Sequence, residues 1–84
     1  MNDRPQTGNP RLEQEEADLA QAERDIVEGE RRISEQQLRI ERLRAEGRDM
    51  ERSEELLATF RATLAEWYAH REIVLETIRS LRNT

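Results

Sequence analysis

The 84-residue sequence has no cysteine and no lysine, and it carries only two prolines and three glycines. It has one tryptophan, one tyrosine and one phenylalanine. Each shortage removes a class of structure or chemistry. Without cysteine there is neither a disulfide framework nor a thiolate metal site. A single histidine, His70, does not build a multi-histidine zinc site, so no metal and no cofactor are expected. No apolar run approaches the roughly 20 residues of a membrane span, and the N-terminus has no hydrophobic signal region. No membrane partner is expected, and the expected location is cytoplasmic. The formal charge of −5 also argues against nucleic acid, because phosphate binding needs a net basic face. With 39% charged residues and three rings, any core is thin. Charge on that scale is compatible with disorder, but a sustained repeat speaks against it.

That repeat is what the chain does have. Every seventh residue from Leu12 is a large aliphatic: Leu12, Leu19, Ile26, Ile33 and Ile40. The series meets Gly47 and stops. A second series runs Leu57, Leu64 and Ile78, with Phe60, Trp67, Val74 and Leu81 three residues after each position of its repeat. Two heptad stretches of nearly equal length around one glycine predict an all-α antiparallel two-helix coiled-coil hairpin.

The boundaries follow from capping chemistry. Met1 to Pro10 read as a flexible tail, with Asn9 able to cap a helix whose first position is Pro10. One helix is expected from about residue 11 to about 46, a turn over about 47–49, and a second helix over about 50–82. Gly47 suits the left-handed position just past a helix end. Asp49 is a candidate cap for the second helix, with Ser53 a later alternative.

Charge supports the hairpin independently. The first helix opens acidic (Glu13, Glu15, Glu16, Asp18) and closes basic (Arg39, Arg42, Arg44). The second opens with Glu51, Glu54 and Glu55 and closes with Arg79 and Arg82. Each helix complements its own dipole. An antiparallel arrangement also predicts cross-pairing at both ends.

The seam is uneven. Three residues after its aliphatic series, the first helix carries Glu15, Ala22, Gly29, Gln36 and Leu43, mostly small or polar. The small ones leave room for bulky groups opposite, Trp67 above all. One register pairs Ile33 with Trp67, Ile40 with Phe60, Ile26 with Val74, Leu19 with Leu81, Leu43 with Leu57 and Ala22 with Ile78. A register displaced by one heptad stays open, because the sequence does not fix the turn geometry. The expected hairpin core is therefore Leu19, Ile26, Ile33, Ile40, Leu43, Leu57, Phe60, Leu64, Val74 and Leu81.

The second helix has apolar surface to spare. Its stripe covers roughly 140°, wider than one helical partner needs. Leu56, Tyr68 and Leu75 flank the seam, and with Trp67 and Ile78 they form the expected interaction face. A lone two-helix hairpin is marginal against about 1.5 kcal/mol of ordering entropy per residue, so a second hairpin or another protein is expected to cover that face.

Few residues point to chemistry. His70 is expected to pair with a glutamate. His70-Arg71-Glu72 on a long helix also resembles the dimerisation domains of sensor kinases, which implies phosphotransfer. Those domains, however, have an acidic residue after the histidine, a nearby proline, and the motif on their first helix; none of these holds here. Arg71 interrupts the apolar seam. It either pairs with Glu30 or Glu23 and fixes register, or carries its head out to solvent on an apolar stem. Ala58, Ala62, Ala65 and Ala69 form a small-residue ridge expected to face solvent.

Gly29-Glu30-Arg31-Arg32-Ile33, Gln37, the Gly47 turn, Leu56-Leu57-Ala58-Thr59-Phe60 and His70-Arg71 together resemble a group of small uncharacterised alphaproteobacterial helical-hairpin proteins. The likeness covers about residues 23–75 and departs at the turn, where Arg48 follows Gly47. It implies a short helical protein and carries no activity with it.

The expectation is a non-enzymatic protein–protein interaction module acting by helix–helix association. Its partner is itself, as a homodimer forming a four-helix bundle. The alternative is a small regulatory adaptor or inhibitor that binds a helix of a larger, unidentified protein.

Overall fold

A computed structural model describes residues 8–83. It is an all-α helical hairpin. Helix α1 spans Pro10–Ala45, helix α2 spans Glu51–Arg82, and the two run antiparallel. Of the expected tail, residues 1–7 lie outside the described residues, and Pro10 already belongs to α1.

Both ends of α1 form as their residue types dictate. The Asn9 side-chain oxygen accepts from the backbone N–H groups of Arg11 (3.0 Å) and Leu12 (3.2 Å), and Pro10 needs no hydrogen-bond donor at the first position. At the other end Gly47 has φ +67°. The Gly47 N–H reaches the Arg44 carbonyl, and the Arg48 N–H reaches the Leu43 carbonyl. This is the paired closure that a left-handed residue permits after a helix. The N-cap of α2 is Met50, which makes no side-chain cap; the expected cap Asp49 stands one residue earlier and accepts from the Glu51 N–H at 3.0 Å, while Ser53 lies inside α2.

The core is a thin line. Ala22, Ile26, Ile40, Leu64, Val74 and Ile78 are buried, and so is Gln36. The remaining expected core residues, Leu19, Ile33, Leu43, Leu57, Phe60 and Leu81, are half-buried. Two helices alone enclose only the centre of their seam, so these residues keep one side toward water.

The register is displaced by one heptad from the pairing of Ile33 with Trp67. In that pairing Gly29 would face Arg71. Instead Gly29 abuts Leu64: a Cβ on Gly29 would lie 3.1 Å from the Leu64 Cδ1 and 3.8 Å from its Cβ. Stepping by heptads from this layer sets Ile33 level with Phe60, Ile26 with Trp67, Leu19 with Val74 and Ala22 with Arg71. The space left by Gly29 is thus filled by Leu64, not Trp67, and Ala22 makes room for the stem of Arg71.

The reason lies at the turn. An apolar period of seven is blind to a shift of seven, so polar residues decide. Gln36 is 6% exposed, and its amide donates to the Ser53 backbone carbonyl at 2.8 Å. Ser53 is small enough to leave that carbonyl accessible from α1. A buried amide is costly unless hydrogen-bonded, and this partner is available only when α2 begins its packing close to the turn.

Candidate interaction surface

The two sides of the hairpin differ. Along one side run Glu16, Glu23 and Glu30 of α1, seven residues apart, facing Tyr68, Leu75 and Arg82 of α2. The Tyr68 hydroxyl donates to Glu30 at 2.6 Å, and Arg82 donates to Glu16 at 2.6 Å. Between them Arg71 sits 3.9 Å from Glu23, its guanidinium 5.4 Å from the centre of the Tyr68 ring. We call this the laced flank.

Arg71 combines the two roles considered for it. Its Nε is buried in the seam, at the level of Ala22, and lacks a hydrogen-bond partner among the described residues. Its head emerges at Glu23 and Tyr68. The hydrogen bond to Glu30, then burial, then the negative charge of Glu30 push the Tyr68 phenol above its ordinary range, with Arg71 pulling the other way.

On the opposite side, α2 presents Leu56, Phe60, Thr63, Trp67 and His70, at alternating spacings of four and three that keep them on one stripe. The α1 edge here is Asp18, Asp25, Arg32 and Arg39, again seven apart. From Leu56 to Thr77, no hydrogen bond or ion pair among the described residues crosses between the helices on this side. A cleft of about 210 Å³ opens instead. Gly29 and Leu64 lie at its base, Phe60 and Trp67 along it, and Asp25 and Arg32 at its edge. Gly29 creates the opening, since any larger side chain there would occupy the space beside Leu64. Arg32 is steadied by Glu28, whose carboxylate lies 3.4 Å from its Nε. The Glu28 carboxyl is held below its usual range, chiefly by its hydrogen bond to Arg31. We call this the open flank.

The expected interaction face therefore divides. Leu56, 43% exposed, and half-buried Trp67 lie on the open flank. Tyr68 and half-buried Leu75 lie on the laced flank, about 100° or more around the helix from Leu56 at 100° per residue. Ile78 is 4% exposed and belongs to the core, because the stripe that carries it points straight at α1. Phe60, expected in the core, stands half-exposed beside the cleft.

Other expectations also change. His70 is exposed and pairs with no glutamate among the described residues; its ring meets the Trp67 ring edge-on at 5.8 Å. Cross-pairing of the helix ends is realised at Arg82–Glu16. At the turn end, no ion pair among the described residues joins Arg42 or Arg44 to Glu51, Glu54 or Glu55. The alanine ridge faces solvent, next to exposed Ile73.

Sequence reasoning missed the burial of Gln36, the pairing of Glu30 with Tyr68 rather than Arg71, and the Asp25–Arg32 edge. The signal for the edges was present: positions just before and just after each seam residue fall on opposite flanks. Leu56 precedes Leu57, whereas Tyr68 follows Trp67 and Leu75 follows Val74.

No group of His, Asp or Glu side chains among the described residues is placed to hold a metal ion, and none of their helices is long and apolar enough to cross a membrane. No family model, curated protein or solved structure matches the chain.

Proposed function

We propose that this protein is a non-enzymatic interaction module that works by helix–helix association, and that its partner is a second copy of itself docked on the open flank to make a four-helix bundle. One observation carries the reading: Phe60, Trp67 and Leu56 share a flank on which, from Leu56 to Thr77, no hydrogen bond or ion pair among the described residues ties the two helices together. Burying that flank removes rings and a leucine from water at about 25 cal/mol per Å² of apolar area without breaking any interhelical hydrogen bond. Burying the laced flank would force desolvation of three ion pairs and hydrogen bonds that already have partners. The thin core supplies the motive, since a lone hairpin gains little apolar burial for the residues it orders.

Light scattering over a dilution series, beside circular dichroism, tests this. The expected result is a helical dimer that persists on dilution. A monomer at every concentration would overturn self-association and direct attention to a helix of another protein.

A further inference from the structure

We infer that the open flank is a self-complementary two-fold interface with a charge code. Asp25 of one copy faces Arg32 of the other, Asp18 faces Arg39, and the dyad passes beside the cleft at Gly29. The inference rests on self-association through this flank and specifies its geometry.

The argument starts from the order of charges. The middle of the α1 edge of the open flank reads Asp18, Asp25, Arg32, Arg39, one residue per heptad, with Arg11 one heptad before it and Glu46 one heptad after. Two like charges are followed by two of opposite sign, so the pattern is its own complement when reversed about the midpoint between Asp25 and Arg32. A two-fold axis lying in the interface and perpendicular to the helices performs that reversal. It sets α1 antiparallel to the second copy's α1 and α2 antiparallel to its α2, and each residue pair then occurs twice, as an isologous interface requires. The other in-plane two-fold, along the helices, sets α1 against the second copy's α2. The α2 edge of this flank is Leu56, Thr63, His70 and Thr77, with no carboxylate and no guanidinium, so that arrangement sets no acid–arginine pair across the interface for any of the four α1 charges.

The apolar residues agree with the first arrangement. The midpoint between Asp25 and Arg32 falls at the level of Gly29 and Leu64, and Phe60 and Trp67 lie on either side of that level beside the same cleft. Reversal therefore brings Phe60 of each copy against Trp67 of the other, over the opening that Gly29 leaves. All neighbouring helices are then antiparallel, which also opposes their dipoles. The area suffices. A flank about 50 Å long and two helices wide, about 18 Å, offers on the order of 900 Å² per copy, the size a stable interface buries.

Charge reversal tests the code. Asp25→Arg places like charges opposite Arg32 at two symmetric points, and Arg32→Asp does the same opposite Asp25. Each variant alone should dimerise at least tenfold more weakly than the unmodified protein. An equimolar mixture of the two should recover association as a mixed dimer, seen by native mass spectrometry, because opposite charges again face each other. The double variant Asp25→Arg/Arg32→Asp should recover it within one chain. Circular dichroism of each variant separates lost helix from lost association, and recovery in the double variant covers the case in which a single variant folds poorly. If the unmodified protein dimerises and the single reversals dimerise equally well, or the mixture is no tighter than its components, the two-fold code is wrong while self-association stands. If the unmodified protein does not dimerise at all, both fall together.

Discussion

The laced and open flanks are built on the same two helices, from the same heptads, one residue to either side of the seam. On the laced side, carboxylates at one α1 position in seven meet tyrosine and arginine of α2 across the groove. On the open side, α1 supplies two acids and then two bases, and α2 answers with leucine, threonine and rings. The difference teaches that amphipathicity alone does not mark an interaction face. A side chain half out of the core is available only if its polar groups are not already engaged. Tyr68 and Trp67 are both half-buried aromatics on neighbouring positions, and only Tyr68 is tied across the groove by a hydrogen bond.

The largest effect that breaks this comparison is on association. Leu56→Ala with Trp67→Ala should raise the dimer dissociation constant by at least 30-fold, since a central aromatic anchor is worth about 2 kcal/mol or more. Tyr68→Phe should leave association unchanged and lower the melting temperature slightly. Sedimentation of the three proteins decides it, and an equal loss from Tyr68→Phe would reverse the assignment of the flanks.

Next is the wedge at the cleft. Gly29→Val drives branched methyls into Leu64 and should cost about 1–3 kcal/mol in urea unfolding, as overpacking does. A stability equal to the parent would mean that the helices part there without penalty.

Smaller still is Arg71→Met on the laced side. It removes a buried Nε that has no partner and keeps the stem, so stability should stay within about 1 kcal/mol of the parent or rise. A loss well beyond that would make the Glu23 pair a principal support of the laced flank.

The smallest effect is spectroscopic. Tyr68 is the only tyrosine, and its phenol is raised by the hydrogen bond to Glu30, so it should ionise above the usual value of about 10. A group whose folded pKa is raised contributes stability that is complete below its unfolded pKa and fades as pH climbs through the folded one. Absorbance titration of tyrosinate should show Glu30→Gln moving the midpoint down. No movement would mean that the Glu30 contact does not form in solution.

Much of this architecture was legible beforehand. The heptads from Leu12 to Ile40 and from Leu57 to Leu81, with Gly47 between them, specify two helices and a tight reversal, because helix periodicity and a left-handed cap are local properties. The cap at Asn9 is local too, whereas Met50 rather than Asp49 stands at the N-cap of α2. Register was not legible, because hydrophobic repeats are degenerate under a heptad shift and only a buried amide finding a carbonyl breaks the tie. The site was legible in part. Leu56 and Trp67 stand on the open flank and Tyr68 and Leu75 on the laced one, because a stripe that is continuous on one helix is divided in two by the partner helix. Ile78, expected both opposite Ala22 and on the interaction face, is buried against α1.

The Gln36–Ser53 bond lies near the turn, and its place in the chain has a kinetic consequence. It closes a loop of 17 residues, whereas Arg82–Glu16 closes one of 66. Short loops close at lower entropic cost, so the contact that discriminates between registers is also the first that a nascent hairpin is able to make. Folding should then start at the hinge and zip outward, with alignment settled before the far halves meet. Under that order Gln36→Leu slows refolding, while Arg82→Ala leaves refolding alone and only hastens unfolding. Stopped-flow chevrons showing the reverse would place the nucleus at the open end. A hairpin that checks its alignment at the hinge spends little time as a mispaired rod with its rings exposed to chance association.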